Sequence, residues 1–314
     1  MEAEHWNERS NRKLPPTERR NPRSWHLDEL GTLEVLRLLH AEDRIAVDAA
    51  GAALSDLAPV VELAAERLRR GGTVHYFGAG TSGRLGVLDA SELKPTFNLE
   101  EGTVVGHIAG GAQALVDAVE NAEDSAAAGR QAAAELGPND VAIGLAASGS
   151  TPYVSGALET AEAAGAHTVL ISSNPDAPIA QYAQTNLVLD TGAEVVTGST
   201  RLKAGTSQKL VLNGFSTALM IASGRTWQNL MVSVVASNSK LRERTVRILC
   251  QATDVDEPAA RQLLQDTDGD LKAAIVASLA GVSADQAKTL LERHHGFVRD
   301  AIASAHESRA GGAG

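Results

Sequence analysis

Cysteine is almost missing from this sequence. Its 314 residues contain one, Cys250, which excludes a disulfide framework and any multi-thiolate metal site. Aromatic residues are scarce too, at 3%. With Ala and 29 Gly in their place, the composition favours closely packed helices and Gly-rich loops over a β-sandwich or a base-stacking surface. No uninterrupted apolar run approaches the roughly 18 residues that a membrane span needs. Met1–Leu30 is polar and charged, without the apolar centre of a signal peptide. Basic tracts are absent as well: 28 Lys+Arg stand against 39 Asp+Glu, a formal net charge of −11. Neither nucleic acid nor an anionic membrane is therefore an expected partner. The nine His are scattered, and His294-His295 has no further ligands beside it, so no metal site is expected. These absences describe a soluble, cytoplasmic chain, and its 43% hydrophobic share is enough for a substantial core.

Residues 1–31 read as an extended arm, rich in Arg and Asn, with Pro15-Pro16 and the turn-forming Asn21-Pro22. Helical periodicity begins at Thr32, where Leu33, Leu36 and Leu39 share a stripe. A second helical stretch over roughly 47–70 ends in Arg69-Arg70-Gly71-Gly72, cations followed by Gly. Strand and helix then alternate. Thr73–Phe77, Thr103–Ile108, Val141–Ala146, His167–Ser172 and Asn186–Leu189 read as strands, and 112–135 and 202–223 as long helices. This alternation predicts an α/β fold, a doubly wound five-stranded parallel sheet with flanking helices. After Gly224 the pattern is all-helical, with a helix near 229–250 and short ones at about 256–266, 270–279, 283–292 and 296–305. Ser283 with Gln286 fits a capping box. The expected division is an arm (1–31), a sheet domain with its leading helices (32–250) and a helical module (251–314).

Gly78-Ala79-Gly80-Thr81-Ser82-Gly83 fits G-x-G-x-x-G between a strand and a helix. A dinucleotide site would add an acid at the end of the next strand to hold a ribose. That strand instead ends Gly106-His107-Ile108-Ala109-Gly110, and two hydroxyls sit inside the loop. No G-x-x-x-x-G-K-[ST] exists, which excludes a P-loop. The alternative is a phosphomonoester site made of helix N-terminal amides and hydroxyls. Gly80, Thr81 and Ser82 supply one such loop, Ser148, Ser150 and Thr151 a second, and Ser199 with Lys203 a third. Each loop taken singly is also a normal turn or helix cap; their recurrence after strands of one sheet points to a ligand. Asp89-Ala90-Ser91-Glu92 and Glu120-Asn121-Ala122-Glu123-Asp124, the latter on the helix after the second strand, are candidate acids and bases. Both also fit a solvated helix face. Glu194, in an apolar frame, is a third candidate.

Several of these segments together resemble the N-acetylmuramic acid 6-phosphate etherases. They are Gly78–Gly86, Leu88-Asp89-Ala90-Ser91-Glu92, Ile108–Gly111, Ala118–Asp124, Ala146–Tyr153, Gly192–Thr206, Asn229-Leu230-Met231-Val232 and the arm motif Thr17–Pro22. The resemblance runs from about residue 17 to 305. It implies a sugar isomerase (SIS) domain and a small C-terminal helical module similar to a ubiquitin-associated (UBA-like) fold. It implies a carbon–oxygen lyase of the hydro-lyase type that cleaves the D-lactyl ether of N-acetylmuramic acid 6-phosphate to N-acetylglucosamine 6-phosphate and D-lactate, in amino-sugar and peptidoglycan recycling. It also implies no metal or organic cofactor, and a homodimer with its site at the subunit interface. Glu92 matches the family's proton donor and Glu123 its second active-site carboxylate. The phosphate would fall to Gly80, Thr81, Ser82, Ser148, Ser150 and Thr151, with Glu194, Ser199 and Lys203 alongside, and Arg84 or Arg201 would be open to the lactyl carboxylate. Leu93-Lys94-Pro95-Thr96 departs from the family's usual Cys-Pro-Pro-Thr, and Leu202 from its usual Met. Sugar-phosphate isomerases share the fold, as does the glucokinase regulatory protein, which binds sugar phosphates without turnover. Isomerisation and regulatory binding are therefore the alternatives.

Overall fold

The computed structural model describes residues 14–234 and 239–311. Its chain divides into two units. The first holds the chain through Ser91 together with Gly102–Ser216, and the second holds Glu92–Glu101 and everything from Thr217 onward.

In the first unit the described part of the arm is not extended. It coils into single 3-10 turns at Pro16–Glu18, Pro22–Ser24 and Leu27–Glu29. Proline opens the first two turns with a preset φ, and the Asn21 side chain accepts the Arg23 N–H at 3.0 Å. Thr17 and Asn21 are buried. Helix α1 (Thr32–Ala52) runs five residues beyond the expected start of the second helical stretch, and α2 (Leu54–Arg69) follows after Ala53. Two members of the apolar stripe are largely exposed, Leu33 at 58% and Leu36 at 57%. The inward face of α1 carries Glu42, Ala46 and Ala50 instead.

Strands β1 (Val74–Gly78), β2 (Val104–Ile108), β3 (Val141–Leu145), β4 (His167–Ser172) and β5 (Thr185–Val188) form one sheet in the order β2-β1-β3-β4-β5. Every neighbouring pair is parallel, as the alternating pattern predicted. The central β3 is buried at all its positions, which requires its unbroken apolar run. The chain leaves β1 toward β2 and returns on the other side of β1 as β3. The switch of direction therefore falls between β1 and β3, where doubly wound sheets open a crevice at their C-terminal edge.

After β1 the chain enters α3 (Gly80–Phe97). A Cβ on Gly78 would lie 2.7 Å from the Gly83 nitrogen, and one on Gly83 2.7 Å from the Gly78 carbonyl oxygen. The two glycines of the motif thus permit contact between a strand end and the first helical turn. The long helix expected over 112–135 is absent. A 3-10 turn at Gly111–Leu115 leads into irregular chain, and only α4 (Ala126–Ala132), capped by Ser125, is helical. Gly110, Gly111 and Asn121 all have positive φ, which a right-handed helix does not accommodate. The acidic 120–124 segment is consequently a loop. It is held by the approach of α4 to α5 (Pro152–Ala163), where a Cβ on Gly129 would fall 1.9 Å from the Tyr153 carbonyl oxygen and one on Gly156 2.1 Å from that of Ala126. Helix α6 (Lys203–Ala222) closes this part of the chain.

In the second unit the helix expected near 229–250 is replaced at its start by a hairpin of β6 (Thr226–Trp227) and β7 (Leu230–Met231). Gln228, at φ 51°, makes the turn. Helix α7 spans Ser239–Thr253. The four short helices are present as α8 (Glu257–Asp266), α9 (Leu271–Ala280), α10 (Ala284–Arg293) and α11 (Val298–Gly311). Asp256, Asp270 and Ser283 cap three of them, the last in the capping box with Gln286. α9 is buried around most of its circumference and forms the centre of this unit.

One polar ladder crosses the sheet. Thr73 Oγ1 meets His75 Nε2 at 2.8 Å, and His75 Nδ1 meets His107 Nε2 at 2.8 Å. Phe77 stacks on His107 with ring centroids 4.7 Å apart. Burial, with the neighbouring His75, pushes the His107 imidazole down to about 4 from its ordinary 6.5. A group whose pKa is lower folded than unfolded binds its proton more tightly in the unfolded chain, so acid destabilises the fold through it. The stability that the neutral ring supports is complete above about pH 6.5 and declines toward pH 4. Urea unfolding over this range should give His107→Phe a shallower acid loss than the parent chain; equal slopes would contradict the assignment.

Candidate active site

Three segments follow strand C-termini in the first unit, and they treat their helix N-termini differently. The first turn of α3 is open. The Gly83 N–H reaches the Ala79 carbonyl, while the amides of Gly80, Thr81 and Ser82 precede any intrahelical acceptor and are suited to an anion. Thr81 and Ser82 are half-buried, and the Ser82 hydroxyl lies 2.8 Å from Gln208 Oε1.

The second segment works through hydroxyls. α5 begins with Pro152, which has no N–H, and the next amide, that of Tyr153, donates to the Glu123 carbonyl at 2.9 Å. Ser148 Oγ accepts both the amide of Ser150, at 3.3 Å, and its hydroxyl, at 3.0 Å, so the hydrogen of Ser148 is left to give away. Thr151 sits at the helix N-cap without a side-chain cap bond. Gly149, at φ 70°, is packed so that a Cβ would lie 2.3 Å from that of Ala177. Asn174 Nδ2 holds the Ser148 carbonyl at 3.0 Å. The Tyr153–Glu123 bond brings Glu123, whose side chain is exposed, to the edge of this hydroxyl loop.

The third segment is closed to an anion. The first amides of α6 are occupied by a carboxylate of the protein itself: Glu194 accepts from Lys203 N at 3.1 Å and from Ala204 N at 2.9 Å. Burial raises the Glu194 carboxyl above its ordinary range, opposed by those two amides. Lys203, 2% exposed, donates to Glu42 Oε2 at 2.5 Å and to the Ala193 carbonyl at 2.7 Å. Glu42, 1% exposed, also accepts from Asn21 Nδ2 at 2.9 Å and pairs with Arg23 at 2.5 Å. The arm adds the Ser24 hydroxyl on the Val195 carbonyl, at 2.7 Å, and the Thr17 carbonyl on the Gly198 amide, at 3.1 Å. Glu194 and Lys203 therefore belong to an internal network that straps down 193–204, and Ser199, half-buried, is carried on that strap.

Asp89 is buried and accepts from Tyr76 Oη (3.1 Å), Asn213 Nδ2 (2.7 Å) and Ser216 Oγ (3.0 Å). Desolvation pushes its carboxyl up against those bonds. This anchor fixes the rotation of α3, so that Leu88, Ser91 and Glu92 lie on an exposed face. Glu92 is the thirteenth residue of α3 and Gly80 its first; at about 1.5 Å per residue, the helix separates them by about 18 Å. Arg84 is committed to the Leu115 and Asp117 carbonyls, at 3.2 Å each. Arg201 is exposed. Among the described residues no group of three or more His, Cys, Asp or Glu is arranged to hold a metal ion. No described helix is long and apolar enough to cross a membrane.

Sequence reasoning did not single out Glu42, Asn174 or Gln208. Glu42 pairs with Lys203, Asn174 with Ser148 and Gln208 with Ser82, at separations of 161, 26 and 126 positions, so no local pattern marks them.

A parallel sheet with Ser/Thr loops at its switch point fits a sugar isomerase domain, and the chain matches the SIS domain model over residues 117–218. It also matches that of the glucokinase regulatory protein N-terminal SIS domain over residues 56–162. An N-acetylmuramic acid 6-phosphate etherase of Photorhabdus laumondii subsp. laumondii is 49% identical over 290 residues, 92% of this chain and 96% of that one. One of Yersinia pestis (strain Pestoides F) is 50% identical over 288 residues, 91% and 98% of the two chains. The chain belongs to the N-acetylmuramic acid 6-phosphate etherase family. Among solved structures, a phosphoheptose isomerase from Francisella tularensis is similar at 17% identity and a TM-score of 0.46, over 60% of this chain and 98% of that one.

The strap yields a prediction of its own. Lys203→Met leaves Glu42 buried with fewer counter-charges and should lower the unfolding free energy by about 3–5 kcal/mol. Urea denaturation measures it, and a loss below about 1 kcal/mol, the value of a surface pair, would contradict the role assigned to Lys203.

Proposed function

We propose that this chain cleaves the D-lactyl ether of N-acetylmuramic acid 6-phosphate, giving N-acetylglucosamine 6-phosphate and D-lactate. The observation that carries this function is the pairing of two phosphate-suited loops at the sheet's switch point with Glu123, tied to the second of them by the Tyr153–Glu123 bond. Membership of the etherase family supports it. A phosphorylated sugar as substrate agrees with a cytoplasmic location.

An ether resists direct displacement because its alkoxide is a strong base and a poor leaving group. With the sugar ring open, the C1 aldehyde acidifies the C2 proton. A carboxylate removes that proton, the C2=C3 double bond forms, and the C3–O bond breaks as an acid delivers a proton to the departing lactyl oxygen. Water then adds at C3 and a proton returns to C2, so the sum is ether plus water to alcohol plus lactate. This sequence uses one protonated and one ionised carboxyl, which exchange roles between the two halves. We assign the protonation of lactate to Glu92, and the C2 proton or the incoming water to Glu123. The phosphate takes no part in bond making; held by Thr81, Ser82 and Ser148, with Ser150 and Thr151 beside them, it positions the open chain. Neither Glu194 nor Lys203 enters, since both are spent on the strap.

The length of α3 supports a further part of this reading. A hexose phosphate does not bridge the about 18 Å of helix between the phosphate loop and Glu92. In our account Glu92 therefore reaches the phosphate loops of a second copy, and the enzyme is a homodimer with its site at the subunit interface. The exposed Leu33, Leu36 and Leu88 supply apolar surface for such a contact.

Glu92→Gln and Glu123→Gln should each reduce D-lactate release by about 10²–10⁴-fold; a loss under about tenfold would remove that residue from the chemistry. Binding of the substrate by the parent chain without lactate release would favour a regulatory function instead. Mixing Glu92→Gln with Ser148→Ala subunits should restore turnover, because one site of the mixed dimer then holds an intact loop and an intact Glu92. Failure of mixed subunits to regain activity would place both groups in one protomer.

A further inference from the structure

Helices α3 and α6 both start in the first unit, close together. A Cβ on Gly205 would lie 3.5 Å from Thr81 Cγ2. Gln208, 1% exposed, sits in α6 with its side chain against the first turn of α3. Its Oε1 takes the hydrogen of Ser82 at 2.8 Å. Its Nε2 is buried and, among the described residues, has no hydrogen-bond partner. This arrangement is unfavourable twice over. A buried amide with no acceptor costs free energy. A serine has one hydrogen, and once it is given to Gln208 the hydroxyl presents only lone pairs beside the amides of Gly80 and Thr81. An anion there would meet repulsion from the hydroxyl and attraction from the amides.

Turning the carboxamide by half a revolution removes the fault that bears on the anion. Nε2 then donates to Ser82 Oγ, and the hydrogen of Ser82 is released to the anion. The carbonyl oxygen then occupies the nitrogen's site, an unpaired acceptor in place of an unpaired donor. We propose that Gln208 is a positioning residue for the substrate phosphate: through its amide it sets Ser82 as a donor, and binding of the phosphate selects the turned state. The identity of the anion as a sugar phosphate rests on the proposed function, whereas the coupling of Gln208 to Ser82 rests on the geometry alone.

A double-mutant cycle on the full-length protein tests the coupling. KM and kcat for lactate release are measured for the parent, Ser82→Ala, Gln208→Leu and the double variant, together with competitive inhibition by N-acetylglucosamine 6-phosphate and by inorganic phosphate. Each single change should raise KM and both inhibition constants about tenfold while kcat changes by less than about threefold. The double variant should then be no worse than either single one. Gln208→Glu keeps the size, accepts but does not donate, and should weaken phosphate binding at least as much; it substitutes for Gln208→Leu if that variant fails to fold. Multiplying losses in the double variant, or a fall in kcat at constant KM, would overturn the proposal. If the parent releases no lactate but inorganic phosphate binding shows the same coupling, the proposed reaction fails and the role of Gln208 stands.

Discussion

Every helix that follows a strand in this sheet begins with amide groups that have no acceptor inside the helix, and the first unit is organised around how each set is satisfied. α6 fills the need internally, with Glu194 on the amides of Lys203 and Ala204. α5 does so with Pro152, which has no amide hydrogen, and with the Glu123 carbonyl. α3 leaves its first turn open. Negative charge from outside the chain is therefore best placed at α3, and the other two helix starts become supports. One positions Glu123, and the other is a rigid strap carrying the chain past Ser199.

The same constraint explains why a chain with a net charge of −11 suits an anionic substrate. In the function proposed above, recognition does not draw on a field of lysines but on a few oriented dipoles and hydroxyls within hydrogen-bond reach, where local geometry outweighs the distant, screened charge of the surface. Arg84, two residues after Ser82, is committed to the Leu115 and Asp117 carbonyls, and Lys203 neutralises Glu42 instead. A buried carboxylate without that partner would be costly.

The regular parts of the fold were legible in the sequence because their signals are local. Continuous apolar runs marked the strands, and Gly78 with Gly83 marked a strand–helix contact. Ser283 with Gln286 marked the start of a short helix. The failures share a cause. The Ala-rich composition of 112–135 predicts a helix, yet left-handed Asn121 interrupts it and left-handed Gly110 and Gly111 stand just ahead of it, as Gln228 does ahead of the stretch near 229. Composition is silent about the sign of φ. The site was legible as chemistry but not as allegiance. Lys203 and Glu42 are 161 residues apart in the chain, so nothing near Lys203 revealed that its charge was already taken. Leu33 and Leu36 formed a correct apolar stripe, but a stripe does not say whether it faces the chain's own core or another copy.

In the proposed function the open first turn of α3, and not the capped start of α6, receives the substrate's phosphate. A crystal structure of the protein with N-acetylglucosamine 6-phosphate tests it most directly. The account predicts phosphate oxygens within hydrogen-bond distance of the Thr81 and Ser82 amides and of the Ser148 hydroxyl, with Lys203 still on Glu42. A phosphate held by Lys203 at the start of α6, with Glu194 displaced, would contradict it.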